Sequence, residues 1–271
     1  MKHKILLLVH SLLFCLVIFS SCKKDKDSNE KSTFNDCKLI EMSNPDIDMT
    51  VELTYNSENK IFRLYNVANA SYVDIIYGDS TVTSVTYNKE GKETARNISF
   101  FDNAGREVKL VHEDNWDDSF ITDTAYYSYD PDGYCTQALH HSKTISGPNK
   151  TVLVYSYVYK YVISDGNVIK FTHEDLSPNS TGNIYKECTY EYYSGIENKS
   201  RIDQYGRPNI NGWRKVNKNP VKKITILQKG KEPASESFYY KYNSNGYITE
   251  ISKSINDGSP EVERNLLYEC K

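Results

Sequence analysis

From about residue 37 onward the chain alternates. In 154-VYSYVYKYVI-163, Tyr155, Tyr157, Tyr159, Tyr161 and Ile163 fall on one face, and Val154, Ser156, Val158, Lys160 and Val162 on the other. Successive side chains of a strand point to opposite sides, so this reads as a strand with one aromatic face, in a sheet buried on one side only. Beyond residue 37 no segment holds a helical period for three turns, which predicts little helix.

Between the alternating runs a short unit recurs. Tyr55-Asn56, Tyr87-Asn88, Phe101-Asp102, Tyr129-Asp130 and Tyr242-Asn243 are each followed, four residues after the aromatic, by Asn59, Gly91, Gly105, Gly133 and Gly246. A weaker copy is 161-YVISDGNVIKF-171. Asn or Asp at the start of a turn bonds its own backbone two residues on, and Gly or Asn supplies the left-handed conformation that closes the loop. Each unit therefore predicts a hairpin. The expectation is one all-β domain over 37–271, a large curved antiparallel sheet or partly closed barrel of serial hairpins. The chain has 23 Tyr against 9 Phe, which suits a broad, half-wet sheet, because a phenol covers apolar area while its hydroxyl still finds a partner. Residues 195-GIENKSRIDQYGRPNINGWRKVNKNP-220 break the rhythm, and the strand pattern returns at 221-VKKITILQ-228. A polar insertion this long has the character of a cap, lid or binding loop.

The first 36 residues stand outside that pattern. Lys2 and Lys4 precede an apolar run, and Phe19-Ser20-Ser21 leads into Cys22, so 1–21 is expected to be a secretory signal ending in a lipobox-like site. Cys22 would then carry the lipid that anchors the protein to a membrane. The segment 22–36, with 23-KKDKDSNEKSTFND-36 after the cysteine, is too polar to pack and reads as a flexible tether. The formal net charge of −3 becomes −5 without Lys2 and Lys4. A mildly acidic chain without a basic stripe argues against nucleic acid as a partner. Of the other cysteines, Cys37, Cys135, Cys188 and Cys270 lie in the domain without CxxC spacing, which argues against zinc. Most of the four are expected as buried free thiols; a Cys37–Cys270 bond would require the first and last strands to be neighbours.

The lipid cysteine and tether, the serial Tyr-Asx-x-x-Gly hairpins, and 190-YEYYSGIENK-199 leading to 217-NKNPVKKITI-226 together resemble a family of Bacteroidota lipoproteins of unknown function with a porin-like fold. The hairpin units also resemble the YD repeats of bacterial surface shells. The resemblance covers most of 37–271 and implies a curved antiparallel sheet; it brings no catalytic residues. The Lys- and Asp-rich start of the tether resembles the export signal of surface lipoproteins, which implies an outer-membrane position facing the exterior, with a periplasm-facing position as the alternative.

Candidate chemistry is sparse. The strings 109-KLVHED-114 and 170-KFTHED-175 each place His, Glu and Asp at what reads as a strand end stepping into solvent. Adjacent residues of a strand face opposite ways, which spoils them as joint ligands. Residues 113-EDNWDDSFITD-123 crowd five carboxylates around Trp116, a weak calcium pattern without EF-hand spacing. No metal or other cofactor is expected. Trp116 and Trp213 read as indoles in polar loops, where an aromatic face can serve as a platform for a sugar ring or a protein partner, with Tyr205 and Arg214 beside Trp213. GxSxG, HExxH and P-loop signatures are absent. The favoured reading is thus a non-catalytic binding or scaffolding module that recognises a glycan or surface protein. A carrier for an apolar or lipid-like ligand in a concave sheet is the alternative. A glycan-active hydrolase comes last, since it would need two carboxylates about 5–10 Å apart in a cleft.

Overall fold

The computed structural model describes residues 37–116, 119–146, 151–177, 183–201, 203, 215 and 217–270, with the backbone alone at Trp116. Among these, sixteen strands follow one another: β1 (Cys37–Asn44), β2 (Met49–Tyr55), β3 (Ile61–Asn66), β4 (Tyr72–Tyr77), β5 (Thr81–Tyr87), β6 (Glu93–Phe101), β7 (Glu107–Trp116) and β8 (Ser119–Tyr129). Then come β9 (Cys135–Ser146), β10 (Thr151–Ser164), β11 (Asn167–Asp175), β12 (Asn183–Tyr192), β13 (Val221–Gln228), β14 (Ala234–Tyr242), β15 (Ile248–Ile255) and β16 (Glu261–Cys270). Every strand pairs antiparallel with its sequence neighbours, and β1 pairs with β16 from Cys37↔Cys270 to Ser43↔Asn265. The sheet is a closed up-and-down barrel. Closure removes both sheet edges, the usual sites of unwanted strand pairing.

The hairpin loops follow the chemistry expected of them. Asn56 Oδ1 accepts from the backbone N–H groups of Glu58 and Lys60 at 3.0 and 2.9 Å, and the Asn59 N–H returns to the Asn56 carbonyl at 3.0 Å. Asn88, Asp102 and Asn243 repeat the arrangement. Gly246 has φ of 80°, a left-handed conformation that side chains resist, and Asn59 at 59° is the tolerated substitute. The register shifts by one residue at the base of each such hairpin, next to the aromatic.

Five tyrosines near the ends of strands, Tyr55 and Tyr129 of the recurring unit among them, have a further duty. Tyr55, Tyr77, Tyr129, Tyr192 and Tyr240, all on even-numbered strands, donate their hydroxyls to the carbonyls of Leu39, Ile61, Glu107, Val168 and Val221 at 2.5–2.8 Å. Each carbonyl lies near the start of the strand before. The phenol thus latches the two feet of a hairpin together, which phenylalanine cannot do. Burial pushes the Tyr55 hydroxyl up to about 12 and raises those of Tyr77, Tyr192 and Tyr240 as well.

The latches lie at one end of the barrel, called here the terminal end because β1 starts there and β16 finishes there. The first and last strands are neighbours, and Cys37 is bonded to Cys270 across them. This corrects the expectation of mostly free thiols for that pair, because adjacency created only by closure is invisible in local sequence; Cys135 and Cys188 are free.

The feet of the 195–220 insertion fold over the same end. Asn217 Oδ1 accepts from the Val168 N–H at 2.8 Å, Asn167 and Asn219 exchange two hydrogen bonds, and Ser200 Oγ accepts from the Ile248 N–H at 2.6 Å. Lys215 Nζ lies 5.0 Å from the centre of the Tyr134 ring. The described feet of the insertion therefore lie against the β8–β9, β10–β11 and β14–β15 turns.

A round sixteen-stranded barrel can leave a water channel inside. Here the inner faces of β11–β16 and β1–β5 carry one continuous apolar cluster, including Val51, Leu64, Val73, Ile224, Phe238, Ile251 and Leu266. Val73, Phe238 and Ile251 are only 1%, 1% and 0% accessible, so no water channel runs past them. The outer face carries ion pairs among exposed apolar residues such as Val162, Leu227 and Leu267. Arg63–Asp74, Arg96–Glu93, Lys160–Glu174, Lys170–Glu187 and Lys241–Glu250 form ion pairs on it. A lipid-embedded barrel carries an apolar outer band, which charges at this density interrupt.

Candidate binding site at the far end of the barrel

The wall is uneven in height. β3 and β4 have 6 residues each, whereas β8, β9 and β10 have 11, 12 and 14. The extra length projects at the end opposite the termini, where Thr151–Tyr155 are exposed on both faces. The far mouth thus has a raised lip.

Below that lip the inner wall changes character. Reading straight across six strands, Ser84 pairs with Asn97, Asn97 with His112, His112 with Asp123, Asp123 with Ser142, and Ser142 with Tyr155. These residues share the inward face, so β5–β10 present one continuous polar row, whereas the inner wall of β11–β16 and β1–β5 is mainly apolar. Ser84, Asn97, His112, Asp123 and Ser142 are all buried. A buried polar group is costly unless it is hydrogen-bonded. The row is wired accordingly: Asn97 Nδ2 donates to Ser84 Oγ at 3.3 Å, and Asn97 Oδ1 accepts from His112 Nδ1–H at 2.9 Å. Burial depresses the His112 imidazole to about 4 despite the nearby Asp123, which keeps it neutral.

Asp123 departs from this economy. Its Oδ2 accepts from His140 Nδ1–H at 2.8 Å, while its Oδ1 is buried with no hydrogen-bond partner among the described residues. His140 stacks flat on Tyr157, with centroids 4.5 Å apart and planes 10° apart. His173 meets Tyr157, Tyr159 and Tyr185 edge-on at 5.1, 4.9 and 5.2 Å, and burial lowers its pKa. Tyr155 continues the stack beyond Tyr157 at 6.2 Å and 19°, toward the lip. Tyr155 is the last ring of that ladder and is 42% exposed.

The sequence marked some of these residues and misplaced others. His112 and His173 do not step into solvent: both sit on the inner face of strands that run on past them. His112 and Glu113 face opposite ways, as alternation requires. Trp116 is not in a polar loop, since β7 extends through it and pairs it with Ser119; its side chain is not described. Tyr205, Trp213 and Arg214, and Cys22, the expected lipidation site, lie outside the described residues. Asp117 and Asp118 do too, and Asp114 and Asp123 line the inner wall while Glu113 points outward. His140 was missed, because 138-ALHHSK-143 carries no signal until β8 and β10 flank it. On the outer face His141 Nδ1 meets Ser156 Oγ at 2.9 Å, but among the described residues no carboxylate pairs with His141.

The fold is a porin-like closed antiparallel barrel. The chain is similar in structure to a porin-like protein from Bacteroides vulgatus, with 13% identity, a TM-score of 0.59, and coverage of 85% of this chain and 98% of the other. It is also similar to a porin-like protein from Bacteroides uniformis, at 13% identity and a TM-score of 0.53, over 87% of this chain and 96% of that one. No family model matches the chain, and no curated protein does.

Proposed function

We propose that the protein is a non-catalytic binding module of the bacterial envelope, held by its amino-terminal end and presenting the far mouth to a glycan or surface protein. The carrying observation is the polarity of the barrel. Strand β1 begins, the disulfide closes and the feet of the 195–220 insertion fold over at one end, while the raised, aromatic, polar mouth lies at the other. A lipid at Cys22, followed by a tether of about fourteen residues, would hang the terminal end over the membrane and turn the far mouth away from it. The disulfide suits an exported, oxidising compartment. The filled inner wall and the ion pairs on the outer wall speak against a channel. They also leave the alternative, a carrier with an open apolar trough, without its trough along β11–β16 and β1–β5.

Fractionation together with surface proteolysis of intact cells tests this reading. Wild-type protein should sediment with outer membranes and be cut from outside, whereas Cys22→Ser should appear in the soluble fraction. Ion conductance across planar bilayers, or membrane retention of Cys22→Ser, would overturn it.

A further inference from the structure

The polar row needs a reason. Six strands each contribute one polar or aromatic residue at the same level, and one of them, Asp123, is joined to His140, two residues before Ser142 on β9, so that its second carboxylate oxygen is left over. Asp123 is 8% exposed, and a buried carboxylate oxygen without a donor is an unmet demand for one. Ser142 stands between Asp123 and Tyr155 in the register. Neighbouring strands are about 4.8 Å apart, so carboxylate and phenol ring are separated by about 10 Å across the wall.

A flat apolar face with a donor-hungry carboxylate and a hydroxyl beside it, set in a mouth, matches one ligand chemistry. A pyranose ring presents C–H bonds on its face and hydroxyls around its edge; one ring spans the step of about 5 Å from Tyr155 to Ser142, and a second, linked ring reaches Asp123. A purely aromatic ligand would satisfy the ring and leave the carboxylate oxygen unmet. A purely anionic ligand would be repelled by that oxygen. We propose that the far mouth binds a neutral saccharide, one ring stacked on the exposed face of Tyr155 and the hydroxyls of the ring linked to it donating to Asp123 Oδ1 past the Ser142 edge. Tyr157, clamped between His140 and the edge of His173, backs Tyr155 as a rigid support. His140 and Asn97 are positioning residues, which orient Asp123 and His112. A platform whose own ring is already held loses little freedom on binding, the condition for a stacking contact to count.

This inference rests on the far-mouth reading above and names its ligand. The test is affinity electrophoresis of the purified full-length protein in gels containing starch, mannan, xylan, arabinogalactan or chondroitin sulfate, followed by calorimetry on oligosaccharides of whichever polymer retards it. Retardation by a neutral polymer is expected, with affinity falling at least tenfold in Tyr155→Ala and about tenfold in Asp123→Asn. Tyr126→Ala, an exposed ring on the outer face, should bind as the wild type does. Circular dichroism checks that each variant is folded; should Asp123→Asn not fold, Ser142→Ala takes its place with a several-fold loss. No retardation by any neutral polymer, retardation by chondroitin sulfate alone, or binding indifferent to both Tyr155→Ala and Asp123→Asn would overturn the inference. Such a failure leaves the envelope reading standing, because surface exposure and Cys22-dependent anchoring are scored without any glycan.

Discussion

The tyrosine latches make a quantitative claim that one atom can check. Tyr240→Phe removes the hydroxyl that donates to the Val221 carbonyl at 2.8 Å and leaves the ring in place. Val221 is 1% accessible, so water cannot replace the lost donor without opening that end of the barrel. A typical hydrogen bond contributes about 1 kcal/mol net, and stranding its buried partner costs roughly 1–3 kcal/mol. An overall loss of about 2 kcal/mol follows. With a urea m-value of about 3 kcal/mol/M, fitting a chain of this size, the midpoint should fall by roughly 0.7 M at unchanged slope. The neighbouring Tyr239→Phe is the control: Tyr239 is 45% exposed and points outward, so its midpoint should stay within about 0.1 M. A second readout is independent of the first. Burial holds the folded Tyr240 pKa above its ordinary value, so between about pH 10 and that raised value the unfolded state releases a proton that the folded state keeps. Stability must therefore decline as pH rises through that window, by up to about 1.4 kcal/mol per pH unit for this group, and Tyr240→Phe should flatten the decline. If Tyr240→Phe matches Tyr239→Phe in both measurements, the latch is ornament and these tyrosines need another explanation.

Three further outcomes can be measured. Cys37→Ser/Cys270→Ser opens a loop of 233 residues' separation, so chain entropy predicts a loss of about 5 kcal/mol as an upper bound, read as a lowered urea midpoint that the wild type shows only with reductant. Because His112 has its pKa lowered to about 4, the unfolded state binds a proton first as pH falls; stability should drop from about pH 6.5 to 4 by roughly 3 kcal/mol, and His112→Gln should remove most of that slope even at a cost in baseline stability. The purified barrel with Cys22→Ser should neither conduct in planar bilayers nor float with liposomes, since charges such as those of Arg63 and Arg96 would each cost about 2–4 kcal/mol at a bilayer midplane.

How much of this was legible in the sequence follows from the range of each interaction. The turns were readable because Asn56, Asn243 and Gly246 act within five residues of themselves. The tyrosine row of β10 was readable because alternation is a local period. Closure was not, since nothing near Cys37 announces that Cys270 will lie beside it. The candidate site was even less so. Its row takes one residue from each of six strands, and Ser84 is 71 positions from Tyr155. The residues of Asp123, Ser142 and His140 look like ordinary strand polars until the register places them side by side. The tryptophans drew attention because they are rare and large, but rarity is a property of composition, whereas the row is a property of pairing.

The disulfide has a mechanical consequence. A tether that enters at Cys37 would deliver any pull on the protein to the first residue of β1, at the end where that strand could be peeled from its neighbours one hydrogen-bonded pair at a time. The bond to Cys270 routes the load into two adjacent strands together, and a strand pair loaded in common must shear whole ladders before it yields. The seam that closes the barrel is thereby made harder to unzip.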